Sequence, residues 1–181
     1  MRFFVTGEQN RQWIMNTIVL LFMVYMLLFA VSTALMYFDR MDLTAASVRA
    51  YYLGSEEQFT EPRSYRSLLE VSHAHLFSMG LLAVTLTHLL LFAELSAKVK
   101  IGLSLAIYAG AVGDELSGWL IRFIHADFAF FKVGCFLLLE LSLALLVLLV
   151  GASLIHQRRT IRGGTVVTSR QKKKRPLPSA P

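Results

Sequence analysis

The sequence is short of what punctuates and staples soluble domains. Its 181 residues hold a single cysteine and four prolines, and only 17% are charged, against about 25% in an average globular chain. The lone cysteine, Cys135, excludes an intrachain disulfide. The absence of Cys-x-x-Cys-His excludes covalent c-type haem attachment. There is no phosphate loop and no nucleophile motif, and no stretch is long and polar enough for a separate aqueous domain. A soluble-type enzyme is therefore not expected.

What the chain has instead is apolar length: 55% of its residues are hydrophobic, which points to a membrane class. Four stretches, roughly 14–38, 69–95, 101–124 and 130–156, are each long enough to cross about 30 Å of hydrocarbon at 1.5 Å per residue. The expected fold is an all-α membrane protein, a four-transmembrane-helix bundle. The first stretch is too long for a signal-peptide core of about 7–15 residues and is read as an uncleaved helix.

Lysine and arginine set the orientation. Twelve lie on one side: Arg2, Arg11, Lys98, Lys100 and the eight of the tail. Six lie on the other: Arg40, Arg49, Arg63, Arg66, Arg122 and Lys132. Both termini are expected to be cytoplasmic, in a multi-pass protein of the cell (inner) membrane. The division is a cytoplasmic lead over 1–13, a transmembrane domain over 14–156 with an outer loop at 39–67, and a basic, disordered tail over 157–181. The tail's charge is a topology signal, and no nucleic-acid partner is expected. Within the loop, Asp42 or Thr44 predicts a cap for a short helix through Leu53, ended by Gly54. Val48, Tyr51 and Tyr52 give that helix an apolar side that would lie on the membrane surface.

The second stretch holds three of the five histidines, His73, His75 and His88. An ionisable side chain in a bilayer is costly, and its default reading is a functional site. His73 and His88 are fifteen residues apart, about 60° around and about 22 Å along a helix. Gly80 lies between them on the same face, and His75 points elsewhere. The third stretch is rich in small residues (Gly102, Ala106, Ala109, Gly110, Gly113, Ser117, Gly118) at spacings that let backbones approach closely, so it is expected to be central.

His73, Gly80 and His88 together resemble the two-histidine helix of small multi-pass membrane b-type cytochromes, in which each histidine binds one haem and a glycine admits the ring. The resemblance implies one haem b, or two. Opposing ligands would come from His125 and His156, with His75 as a substitute in a rotated helix and Arg122 near a propionate. His73, His88 and His125 are equally candidates for a metal ion. Asp114, Glu115 and Glu140 fall at similar depth with no lysine or arginine at that level, and are proton-relay candidates.

Two functions follow as expectations. One is an integral membrane b-type haem protein, an electron-transfer subunit of a respiratory-type chain, with other membrane respiratory subunits or a cytochrome as partners and a quinone as a candidate ligand. The other is a non-haem anchor or assembly subunit, or a proton- or metal-ion-handling membrane protein, using the same histidines and acids.

Overall fold

The computed structural model describes residues 3–173 apart from 58, 92 and 94, with side chains described for 11 and 13–153 of these. Among the described residues the regular structure is helical, save one antiparallel bridge between Ser55 and Thr60. The elements are α1 (Phe3–Arg40), α2 (Ala45–Leu53), α3 (Tyr65–Leu90), α4 (Ala97–Phe123) and α5 (Phe128–Lys173). α1 begins well before the apolar run, so the lead is helical from Phe3. α5 continues past Gln157, where the sequence reading starts the tail.

α1, α3, α4 and α5 pack as a bundle, with α4 lying against both α3 and α5, and α1 against α5. The glycine-rich helix, expected to be central, packs closely between α3 and α5, but α5 is the helix that meets all the others, α1 included. A Cβ on Gly110 would stand 3.0 Å from the Leu139 backbone nitrogen on α5, and one on Gly113 would stand 2.5 Å from Cys135 Sγ. Any side chain at Gly110 would push the two helices apart.

Among the described residues three helices are long and apolar enough to cross a membrane: Trp13–Arg40, Tyr65–Leu90 and Phe128–Ser153. α4 has the length but not the composition, because Asp114, Glu115 and its serines and glycines interrupt the apolar run. α1 is its opposite. Leu21, Leu28 and Leu35 on α1 are all more than 60% exposed, an apolar surface that water does not tolerate and lipid does.

The short helix in the loop is present with the caps the sequence suggests. Thr44 accepts a hydrogen bond from the Ser47 amide, and Gly54 ends the helix at φ 83°. Its apolar side does not lie on a membrane surface, however. Val48 and Tyr52 are buried against the ends of α4 and α5, in a cluster with Tyr37, Ile121 and Phe136. Arg49 on the same helix donates to the Ala126 carbonyl at 3.2 Å and pairs with Asp127. The bundle end offered a better apolar partner than the interface did.

Two clusters divide the bundle along its length. The α2 end has the aromatic cluster just named. The other end has an aliphatic core of Met23, Met26, Leu86, Leu90, Ile107, Leu139, Leu143 and Leu146. Between them, towards the α2 end, is a cavity.

Candidate functional site

The cavity has a volume of about 200 Å³ and is walled by α1, α2, α3, α4 and α5. Its polar wall comes from residues one helix turn apart. Ser72 and His75 lie on the inward face of α3, so that both reach α4. Asp114 and Glu115 lie two turns in from the C-terminal end of α4, and Lys132 lies one turn into α5.

These side chains form two ion pairs. His75 Nδ1 lies 2.5 Å from Glu115 Oε1, and Ser72 Oγ donates to Glu115 Oε2 at 2.9 Å. Trp119 Nε1 in turn donates to Ser72 Oγ at 2.8 Å. The result is a hydrogen-bonded run from Trp119 through Ser72 to Glu115 and His75, in which each bond polarises the next. Lys132 Nζ lies 2.8 Å from Asp114 Oδ2 and donates to the Asp114 carbonyl at 3.0 Å. It also stands 5.9 Å from the centroid of the Tyr52 ring. The Lys132 side chain is 8% exposed and that of Asp114 19%, so this pair is held largely out of solvent and needs each partner to satisfy the other. Burial pushes the Tyr52 phenol above its ordinary pKa, so the ring lies beside the ammonium as a neutral group.

Two carboxylate oxygens, Asp114 Oδ1 and Glu140 Oε1, are buried with no hydrogen-bond partner among the described residues. The first belongs to the cavity. Glu140 lies on α5 beside Leu139 of the aliphatic core, beyond the cavity's walls.

The expectation that no lysine or arginine reaches the acids is overturned by Lys132. Depth was judged along the helix axes, and a lysine's four-carbon stem carries its charge about 6 Å from the backbone. The four-residue connection over 124–127 returns α5 antiparallel along α4, which brings Lys132, one turn into α5, within side-chain reach of Asp114. Ser72, Trp119, Tyr37, Tyr52 and Arg40 were also missed as cavity or network residues. Only Arg40 carries a charge that could have marked it.

His75 meets Glu115 inside the bundle and lines the cavity. His73 and His88 are exposed on α3, and a Cβ on Gly80 would have nothing within 4 Å. His125 lies in the α4–α5 turn, where Nδ1 accepts the Asp127 amide at 3.2 Å. The side chain of His156 lies outside the described residues. Arg122 donates from Nε to the Arg63 carbonyl at 2.9 Å and so secures the loop before α3. Among the described residues no group of three or more histidine, cysteine, aspartate or glutamate side chains is placed to hold a metal ion.

No curated protein and no solved structure matches the chain. One family model does, over residues 42–161, which takes in α2, α3, α4 and the apolar part of α5. The family, Aq_1264_TM, is described as a transmembrane helical domain, and the match covers more than half of the 181 residues. The exposed apolar flanks of the bundle agree with that description, and the chain belongs to this family of membrane-embedded helical proteins.

Proposed function

We propose that this is a four-span protein of the cell (inner) membrane, with both termini cytoplasmic, whose outer half holds a one-sided proton-exchange site. The spans would be α1, α3, α4 and α5. α4 is long enough at about 40 Å, and its acids lie against α3 and α5 rather than lipid. The excess of lysine and arginine at the end bearing the termini supports the orientation.

The observation that carries the reading is two ion pairs, from three helices, on the wall of one cavity. Charges in a bilayer bundle are retained for function more often than for packing. A histidine and a carboxylate in hydrogen-bond contact hold a proton between Nδ1 and Oε1, and Asp114 Oδ1 offers a further acceptor. The aliphatic core closes the far end. The site therefore takes up and releases protons on one side and does not conduct them across.

The test is infrared difference spectroscopy of the reconstituted protein through a pH titration. A carboxyl band that titrates in the wild type and disappears in Glu115→Gln or Asp114→Asn is the expected result. Proteoliposomes should show no steady proton leak. A spectrum with no titrating carboxyl, or one that neither substitution alters, would remove the proposal.

One observation favours a second reading, the b-type haem subunit. His73 and His88 are exposed on α3, with open space at Gly80. The cavity at His75 is too small for a haem. That histidine is engaged by Glu115, and about 200 Å³ is below the roughly 300–1,000 Å³ of ordinary ligand pockets. Haem b would be held between α3 and another respiratory membrane subunit supplying the opposing ligands, with a quinone or cytochrome as redox partner. A haem count on the isolated chain and on the chain with its membrane partners, and its loss in His73→Ala, decides this reading.

A further inference from the structure

A second pocket, of about 460 Å³, opens at the α2 end of the bundle. It is lined by Arg40 at the end of α1, Ser47 and Tyr51 on α2, and Thr60, Glu61 and Arg63 in the loop that follows. Its size falls within the range of ordinary ligand sites.

Tyr51 organises its charges. Arg40 Nη1 donates to the Tyr51 hydroxyl at 3.2 Å, and the Arg63 guanidinium lies over the Tyr51 ring, 4.1 Å from its centroid. Two guanidinium groups are thereby fixed at the edge and the face of one ring. The backbone around them is held as well. The Arg63 amide donates to the Tyr52 carbonyl at 3.0 Å, and Ser55 and Thr60 exchange hydrogen bonds at 3.1 and 3.0 Å. Gly54 makes the tight return possible. Its φ is +83°, and a Cβ there would stand 2.5 Å from the Thr60 carbonyl oxygen.

Other arginines at this end are spoken for: Arg49 pairs with Asp127 and Arg66 with Glu70. Arg40 and Arg63 have no carboxylate within 4.0 Å among the described residues. Two preorganised, unneutralised guanidinium groups beside hydroxyls are the donor set that recognises a tetrahedral oxyanion through paired N–H bonds. Glu61, on the same wall, supplies the opposite charge that an adjacent ammonium needs.

The geometry points to a binding site for a phosphate-type oxyanion at Arg40 and Arg63, with room beside Glu61 for an attached amine. A lipid headgroup at the bilayer boundary and a free phosphate compound share this chemistry. The site does not depend on proton exchange in the inner cavity, although Arg40 and Tyr51 line both.

The experiment has two arms on the purified full chain. In one, inorganic phosphate is titrated and followed by calorimetry. In the other, nanodiscs of galactolipid containing a minor fraction of phosphatidylethanolamine are used, and the phospholipid retained per chain is counted by native mass spectrometry. Saturable binding in the first arm assigns a soluble phosphate compound, and saturation in the second alone assigns a lipid headgroup. In either case Arg40→Gln is expected to weaken binding about tenfold, and Arg40→Lys nearly as much, because the fork is lost while the charge stays. Arg66→Gln makes the same change of charge outside the pocket and should have no effect. Arg63→Gln removes the group stacked on Tyr51 and is read only if its thermal unfolding matches the wild type; Arg40→Gln needs no such condition, its guanidinium being exposed. Failure of both arms to saturate, or equal weakening by Arg66→Gln, would overturn the assignment.

Discussion

The two halves of this bundle are built from the same helices and solve different problems. Towards the chain termini, Met23, Leu86, Leu90, Ile107, Leu143 and Leu146 interlock without a charge among them. Towards α2, the same helices turn Ser72, His75, Asp114, Glu115 and Lys132 inward around a cavity. In lipid, neither half gains much from apolar burial alone, since the alternative solvent is apolar too. The aliphatic half is held by fit. The polar half is held by the cost of leaving a charge without its partner. The lesson is that hydropathy records what faces lipid: α1 has the surface most easily recognised, whereas α4, which hydropathy passes over, packs closely between α3 and α5.

Each half breaks in its own way. The largest effect is expected from Lys132→Met, which strands Asp114 and should cost about 3–5 kcal/mol in chemical denaturation of the detergent-solubilised protein. Adding Asp114→Leu should recover most of that loss, since two apolar side chains no longer need each other. If the double variant is as unstable as the single, the pair is not what holds this half.

Next is Leu86→Ala in the aliphatic half, where the wild-type side chain is fully buried. It should cost about 2–5 kcal/mol by the same measurement and leave the infrared carboxyl signal of the polar half untouched. Gly110→Val tests fit directly. The added side chain meets the Leu139 backbone, and a loss of about 1–3 kcal/mol is expected, with cross-linking between α4 and α5 reduced.

The smallest effect concerns the loop. Asp42 Oδ1 accepts both the amide and the hydroxyl of Thr44, at 2.6 and 2.5 Å, which holds its carboxyl below the usual range. A carboxylate with a lowered pKa supports the fold above its unfolded value and loses that support as pH falls through the folded one. The amide-exchange protection factors at Thr44 and Ser47, taken against the intrinsic rate at each pH, should fall at acid pH in the wild type and already at neutral pH in Asp42→Asn.

Much of the fold was legible in the sequence because it rests on length and periodicity. Four long helices, the Thr44 and Gly54 caps and the close approach of the glycine-rich helix to a neighbour all follow from local rules. The site was legible only in part. Asp114 and Glu115 stood out as charges in an apolar run, but their partners were set by rotation about the helix axis and by side-chain reach. His75, counted as the off-face histidine, meets Glu115 at the cavity, and Lys132, counted as an outer-side charge, is turned inward. A rotation of about 100° separates neighbouring residues on a helix, and nothing in α3 alone states which face will find α4.

The most direct measurement is the reaction of single engineered cysteines with a membrane-impermeant maleimide applied separately to each face of oriented vesicles, in a Cys135→Ala background. Ser78→Cys, on the cavity wall, should be labelled from the α2 face alone. Ser142→Cys, buried beside Leu143 of the aliphatic core, should be labelled from neither. Labelling of Ser142→Cys, or of Ser78→Cys from the terminal face, would mean that the cavity is not closed at the aliphatic core, and would contradict a one-sided site.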